Sequence, residues 1–102
     1  MVEIEYHPSA IEDYKQAVSY YKERSLRVVL SFQEQYENIE DQIQMFPLSG
    51  NSEDKEYYRR YLRDFPYTLI YKPKENIVYI LAVAHQSQHP DYWKNRIKDI
   101  PK

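Results

Sequence analysis

Four cations fall within nine residues of this chain: Lys55, Arg59, Arg60 and Arg63. Arginine presents a planar fork that matches phosphate or carboxylate, so the cluster is a candidate contact surface for an anionic partner. On an extended strand Arg59 and Arg63 share a face and Arg60 points the other way. The same charges would also protect a strand edge from pairing with another chain. His85 ends an apolar run, where a side chain can project from the end of a sheet and act as a general base near neutral pH. Its alternative is local hydrogen bonding that fixes the strand end. Tyr92 and Trp93 are read first as anchors of the last element.

Other chemistries lack their parts. His85 and His89 have a spacing that suits zinc on a helix, but Pro90 disfavours helical geometry at His89, and no third ligand stands at a recognisable spacing. No metal site and no cofactor are expected. A single glycine leaves no phosphate-cradling loop, and the absence of cysteine excludes disulfides and thiolate sites.

The elements that must position these residues are legible as periodicities. VEIEYH (residues 2–7) alternates apolar and polar, as a half-buried strand does, and Pro8 ends it. Ser9, with Glu12 three residues on, forms a capping box for a first helix, whose stripe is Ala10, Tyr14, Ala17, Val18 and Tyr21. Arg24 and Ser25 make a short break, with Ser25 the next N-cap. Val29, Phe32, Tyr36, Ile39, Ile43 and Phe46 are spaced 3, 4, 3, 4, 3, a seam facing another layer. Pro47 closes that helix. Two amphipathic helices joined by so short a turn read as an antiparallel hairpin; a coiled-coil dimer is the other reading of the seam, and its length favours core packing.

Leu48 to Glu56 reads as a surface loop. Three strands follow: Tyr57 to Leu62, Phe65 to Tyr71 and, after a turn over Lys72 to Asn76, Ile77 to His85. The last is nearly all apolar, as expected of a central strand covered on one face and flanked on both sides. Pro90 fits the first position of a short final helix, Asp91 to Ile97. The order β-α-α-β-β-β-α, helices grouped and strands grouped, is α+β.

The chain has 102 residues, and one domain over 1–102 is expected. Hydrophobic residues make up 42% and charged residues 29%, ordinary for a globular protein, but twelve of the aromatic residues are tyrosine. No apolar run approaches the roughly 18 residues of a membrane span. The N-terminus lacks a basic n-region and a long apolar stretch, so no signal peptide is read there and a cytoplasmic location is expected. Net charge is −2, against a broadly basic nucleic-acid binder. Its distribution says more: residues 1–46 hold nine acids and four bases, net −5, and residues 47–102 hold seven acids and ten bases, net +3. Such asymmetry suggests two faces with different partners.

The stretch RRYLRDFPYTLIY, a turn, then IVYILAVAHQSQHPDYWKNR resembles the C-terminal signature of the RelE/ParE superfamily of type II toxin–antitoxin systems, including its ParE-like plasmid stabilisation proteins. The matching positions are Arg59, Arg60, Phe65, Pro66, Tyr67, Tyr71, Val83, Ala84, His85, Pro90, Tyr92, Trp93 and Arg96. The N-terminal half fits too: a strand, AIEDYKQAVSYYKER, then a long helix ending in a Pro-x-x-Gly segment (Pro47, Gly50). The resemblance implies a four-stranded antiparallel sheet with a helical hairpin on one face, and a cognate antitoxin that wraps the toxin; it also allows a homodimer. Two activities occur within it: ParE-like members block DNA gyrase, and RelE-like members cleave mRNA in the ribosome. The ribonuclease members resemble strongly basic proteins, whereas this chain is net acidic and has only Lys55 near its arginines. The resemblance therefore favours a non-enzymatic toxin, with Lys55, Arg59, Arg60 and Arg63 binding target or antitoxin. A ribosome-dependent endoribonuclease is the alternative, with Arg59, Arg60, Arg63, His85 and Tyr92 as candidate catalytic residues. A decayed toxin retained as a binding module is the third.

Overall fold

The computed structural model describes residues 2–52 and 56–101. In chain order the elements are β1 (Glu3–Tyr6), α1 (Pro8–Arg24), α2 (Leu26–Met45), β2 (Asn51–Ser52), β3 (Tyr58–Tyr61), β4 (Tyr67–Lys74), β5 (Ile77–His85) and a closing 3₁₀ helix (Lys94–Asp99). The class is α+β, with the expected hairpin of helices and the expected antiparallel meander β3-β4-β5.

Several local expectations change. Helix α1 starts at Pro8, not Ser9, and its N-cap is His7, whose Nδ1 accepts from the Ser9 N–H at 3.0 Å. Proline suits the first turn because its missing N–H has no partner there anyway. Ser25 caps α2 as expected, accepting from the Val28 N–H. Val29, Phe32, Tyr36 and Ile43 are buried along the seam, but Phe46 is 58% exposed. Its backbone (φ −136°, ψ 68°) has already left the helix, so its side chain leaves the stripe. The terminal helix is 3₁₀ and begins at Lys94.

The sheet order is β1-β5-β4-β3-β2. It has five strands, not four, and it is mixed: β1 lies parallel to β5. The chain between them passes through both helices and then β2, β3 and β4, and so returns along the sheet to lie beside β1 in the same direction. β4 runs on to Lys74, so the turn shrinks to Glu75 and Asn76, with Glu75 at φ 54°. Between Ile70 and Tyr71 the β4–β5 register slips, leaving Leu81 without a partner across the pair. This bulge reverses the alternation of β5. Val78, Ile80 and Val83 join Phe32, Tyr36, Leu69 and Tyr71 in the core under the helices. Leu81 and Ala82, though adjacent, both pack on the opposite face with Ile70 and Trp93.

That second cluster explains the apolar character of β5 better than one covered face does. Tyr92, Ile97 and Ile100 of the C-terminal segment cover the side of the sheet away from the helices. β5 is thus buried above and below, and flanked by β1 and β4.

Gly50 is demanded by space. A Cβ there would collide with the buried Tyr71 hydroxyl and come within 2.9 Å of the Arg59 carbonyl oxygen. Gly50→Ala is therefore expected to destabilise the fold by about 1–3 kcal/mol through overpacking. A thermal melt reads this directly, and a melting temperature equal to that of the parent would contradict it.

Candidate functional site

The period of β3 places Arg59 and Arg60 on opposite faces of the sheet, as expected, and their surroundings then separate their roles. Arg60 lies on the helix side. Its Nη1 donates to Gln42 Oε1 at 2.9 Å, and its Nη2 donates to the Phe46 carbonyl at 3.3 Å and to Ser49 Oγ. The Phe46 carbonyl, at the helix end, also accepts from the Ser49 N–H at 3.1 Å and from Ser49 Oγ at 2.8 Å. Arg60 thus ties the end of α2 and the following loop to the sheet.

Arg59 points to the other side, its guanidinium carbon 5.9 Å from the centre of the Trp93 ring. It lines a cavity of about 190 Å³ together with Tyr61, His85, His89, Tyr92 and Trp93. Among the described residues Arg59 makes no ion pair, and no acidic side chain lines the cavity. Arg63 lies beyond the end of β3, its side chain 86% exposed, and among the described residues it pairs with Asp64 alone, at 3.6 Å. Of the candidate residues, the fold brings Arg59, His85 and Tyr92 together and leaves Arg60 and Arg63 outside. Lys55 lies outside the described residues.

His85 is held by its own loop. Its Nδ1 accepts from the Ser87 backbone N–H at 3.0 Å and lies 2.7 Å from Ser87 Oγ, while its backbone N–H donates to Gln88 Oε1. The ring meets Tyr67 edge-on at 5.0 Å. An imidazole whose Nδ1 accepts an N–H carries its proton on Nε2 when neutral. The free nitrogen is then a donor, the wrong state for a general base.

Tyr92 is engaged as well. Its hydroxyl donates to Asp13 Oδ2 at 3.2 Å, and the Arg96 guanidinium stands 5.0 Å over its ring. Burial, reinforced by the Asp13 carboxylate, pushes the phenol far above its ordinary range. It is a weaker acid than free tyrosine, and its proton is already in a hydrogen bond.

Asp13 organises this end of the molecule, and the sequence reading passed over it. Its carboxylate accepts from the Val83 N–H at 3.1 Å, from Tyr92, and from Arg96 Nη1 at 2.8 Å and Nη2 at 3.4 Å; the same Nη1 also donates to the Leu81 carbonyl. β1 pairs with β5 only as far as Ile80. The Asp13–Arg96 pair takes over from there as the partner of the Leu81 carbonyl and the Val83 amide. A signal was available: Asp13 stands between Ala10 and Ala17 at spacings of 3 and 4, a charge on the buried stripe of α1.

A second such contact lies at β1. Buried His7, its Nδ1 used as the cap, donates from Nε2 to Asp99 at 2.7 Å, joining the start of α1 to the closing 3₁₀ helix. Among the described residues no three His, Cys, Asp or Glu side chains come together as metal ligands, and no helix is long and apolar enough to cross a membrane.

Residues 4–90 match the family described as the ParE toxin of the type II toxin–antitoxin system, parDE. A chain of the YoeB–YefM complex from Staphylococcus aureus has a similar fold, with a TM-score of 0.54 at 18% identity over 83% of this chain and 97% of that one. No curated protein matches in sequence.

Proposed function

The chain belongs to the ParE toxin family of type II toxin–antitoxin systems, and on that premise we propose that it arrests growth by binding a cellular protein, DNA gyrase foremost, without cutting RNA. The observation that carries this reading is the state of the two candidate proton-transfer groups. His85 has its acceptor nitrogen occupied by the Ser87 amide, and Tyr92 has its proton committed to Asp13. Ribonuclease chemistry needs a base for the 2′-hydroxyl and an acid for the leaving oxygen. An inhibitor that works by contact needs neither, and the half-buried Arg59 beside the exposed Tyr61 suits contact.

The partner in the cell is a cognate antitoxin. Its acidic stretch would face the basic second half of the chain, because opposite charge speeds encounter and fixes register. Association should then weaken as salt is raised.

One observation favours the ribonuclease reading. The cavity combines Arg59 with the exposed ring of Tyr61, and such a pair can hold a phosphate and stack a base. A single experiment separates the two. His85→Gln is expected to keep growth arrest within a few-fold of the parent chain, because no proton passes through it, whereas losing a general base costs about 10²–10⁴ in rate. Purified protein should inhibit supercoiling by gyrase and leave ribosome-bound mRNA intact. Cleavage of mRNA in translating ribosomes, abolished by His85→Gln, would install the ribonuclease reading instead.

A further inference from the structure

Away from the arginine cavity, where β1, α1 and α2 meet, the surface opens into a cleft of about 270 Å³ lined by Tyr6, Ile11, Tyr14, Tyr36, Glu37 and Glu40. Three of its six residues are tyrosines and two are acids. The half-buried Tyr14 ring packs on the buried Tyr36 ring, their centroids 4.5 Å apart at 54°. Tyr6 donates its hydroxyl to Glu40 Oε2 at 2.5 Å, which obliges Tyr36, also 2.5 Å from the Tyr6 oxygen, to donate to Tyr6. The relay of hydroxyls ends on Glu40 Oε2, and among the described residues Oε1 of that carboxylate has no hydrogen-bond partner.

Neither Glu37 nor Glu40 has a cation within ion-pair distance among the described residues. Glu40 is half-buried, and its desolvation raises its carboxyl above the ordinary range despite the Tyr6 hydrogen bond. A desolvated carboxylate without a counter-charge is costly to a fold, and a partner that supplies one recovers that cost on binding. The setting adds to the pull, since residues 1–46 carry a net charge of −5.

We propose that this cleft is a receptor for an arginine side chain carried by a partner polypeptide. A guanidinium laid against the half-buried Tyr14 ring meets the negative face of a π-system. Its fork of N–H donors reaches Glu40 Oε1 and the exposed Glu37 together, a geometry that an ammonium on a flexible stem matches less well. Ile11, at the rim, packs on the methylene stem. This site lies on the acidic half of the chain and is independent of whether gyrase or RNA is the toxin's target.

The test is an NMR titration of the intact protein with N-acetyl-arginine methylamide, followed through the ring resonances of Tyr6, Tyr14 and Tyr36. The control is the citrulline analogue, which has nearly the same shape and no charge. Saturable shifts confined to these rings are expected, with an affinity on the order of millimolar and at least tenfold tighter than for citrulline. Glu37→Gln, a change at an exposed position, should weaken binding several-fold. Glu40→Gln, which keeps an oxygen for the Tyr6 hydroxyl, should abolish it. If Glu40→Gln does not fold, Glu37→Gln and the citrulline comparison decide alone. Equal shifts from the two analogues, shifts spread over the whole surface, or unchanged affinity in Glu37→Gln would overturn the assignment.

Discussion

Asp13→Ala is expected to lower the unfolding free energy by about 3–5 kcal/mol, the usual cost of breaking a buried ion pair from one side. Both side chains of the Asp13–Arg96 pair are only 13% exposed, so solvent screens them little. The loss is more than a Coulomb contact. Removing the carboxylate strands the Arg96 charge, the Val83 amide and the Tyr92 hydroxyl at once. For a chain of this size each kcal/mol shifts the melting temperature by roughly 4–8 °C, so the drop should exceed about 12 °C. Asp13→Asn keeps an oxygen for the Val83 amide and should fall between the two. A loss under about 1 kcal/mol for the alanine variant would mean that water replaces the carboxylate freely and that the network does not hold β5 to α1.

The second large effect divides two adjacent arginines. Arg59→Ala should reduce growth arrest by more than tenfold while the melting temperature stays within a few degrees of the parent, because the side chain contributes to the cavity wall and not to a hydrogen-bond network. Arginines that anchor an interface commonly carry about 2 kcal/mol or more of binding. Arg60→Ala should do the reverse. It removes the donors to Gln42, to the Phe46 carbonyl and to Ser49. It should therefore cost about 1–3 kcal/mol of stability, and any loss of toxicity should follow the loss of folded protein. The readouts are growth under matched soluble expression and a thermal melt of each variant. Wild-type toxicity for Arg59→Ala would remove Arg59 from the target surface. An unchanged melt for Arg60→Ala would show that α2 and its loop hold without the tie.

What the sequence determined by itself was whatever depends on neighbours along the chain. The seam from Val29 to Ile43, the Ser25 cap, the bounds of Ile77–His85 and the alternation that sends Arg59 and Arg60 to opposite faces all follow from backbone periods of 3.6 and 2. The family signature was legible for the same reason, since it is a run of residue types at short spacings. Tertiary structure decided whatever depends on partners distant in sequence. Asp13 meets Arg96 across 83 positions and His7 meets Asp99 across 92, and no local pattern encodes such pairings. The parallel pairing of β1 with β5, the bulge at Leu81 that turns Val83 toward the helices, and the C-terminal segment that covers the second face of the sheet are of this kind. Even the two arginines, adjacent and chemically alike, differ only in what the fold sets before them: for Arg60 the acceptors at the end of α2 and in its following loop, for Arg59 an open cavity walled by Trp93.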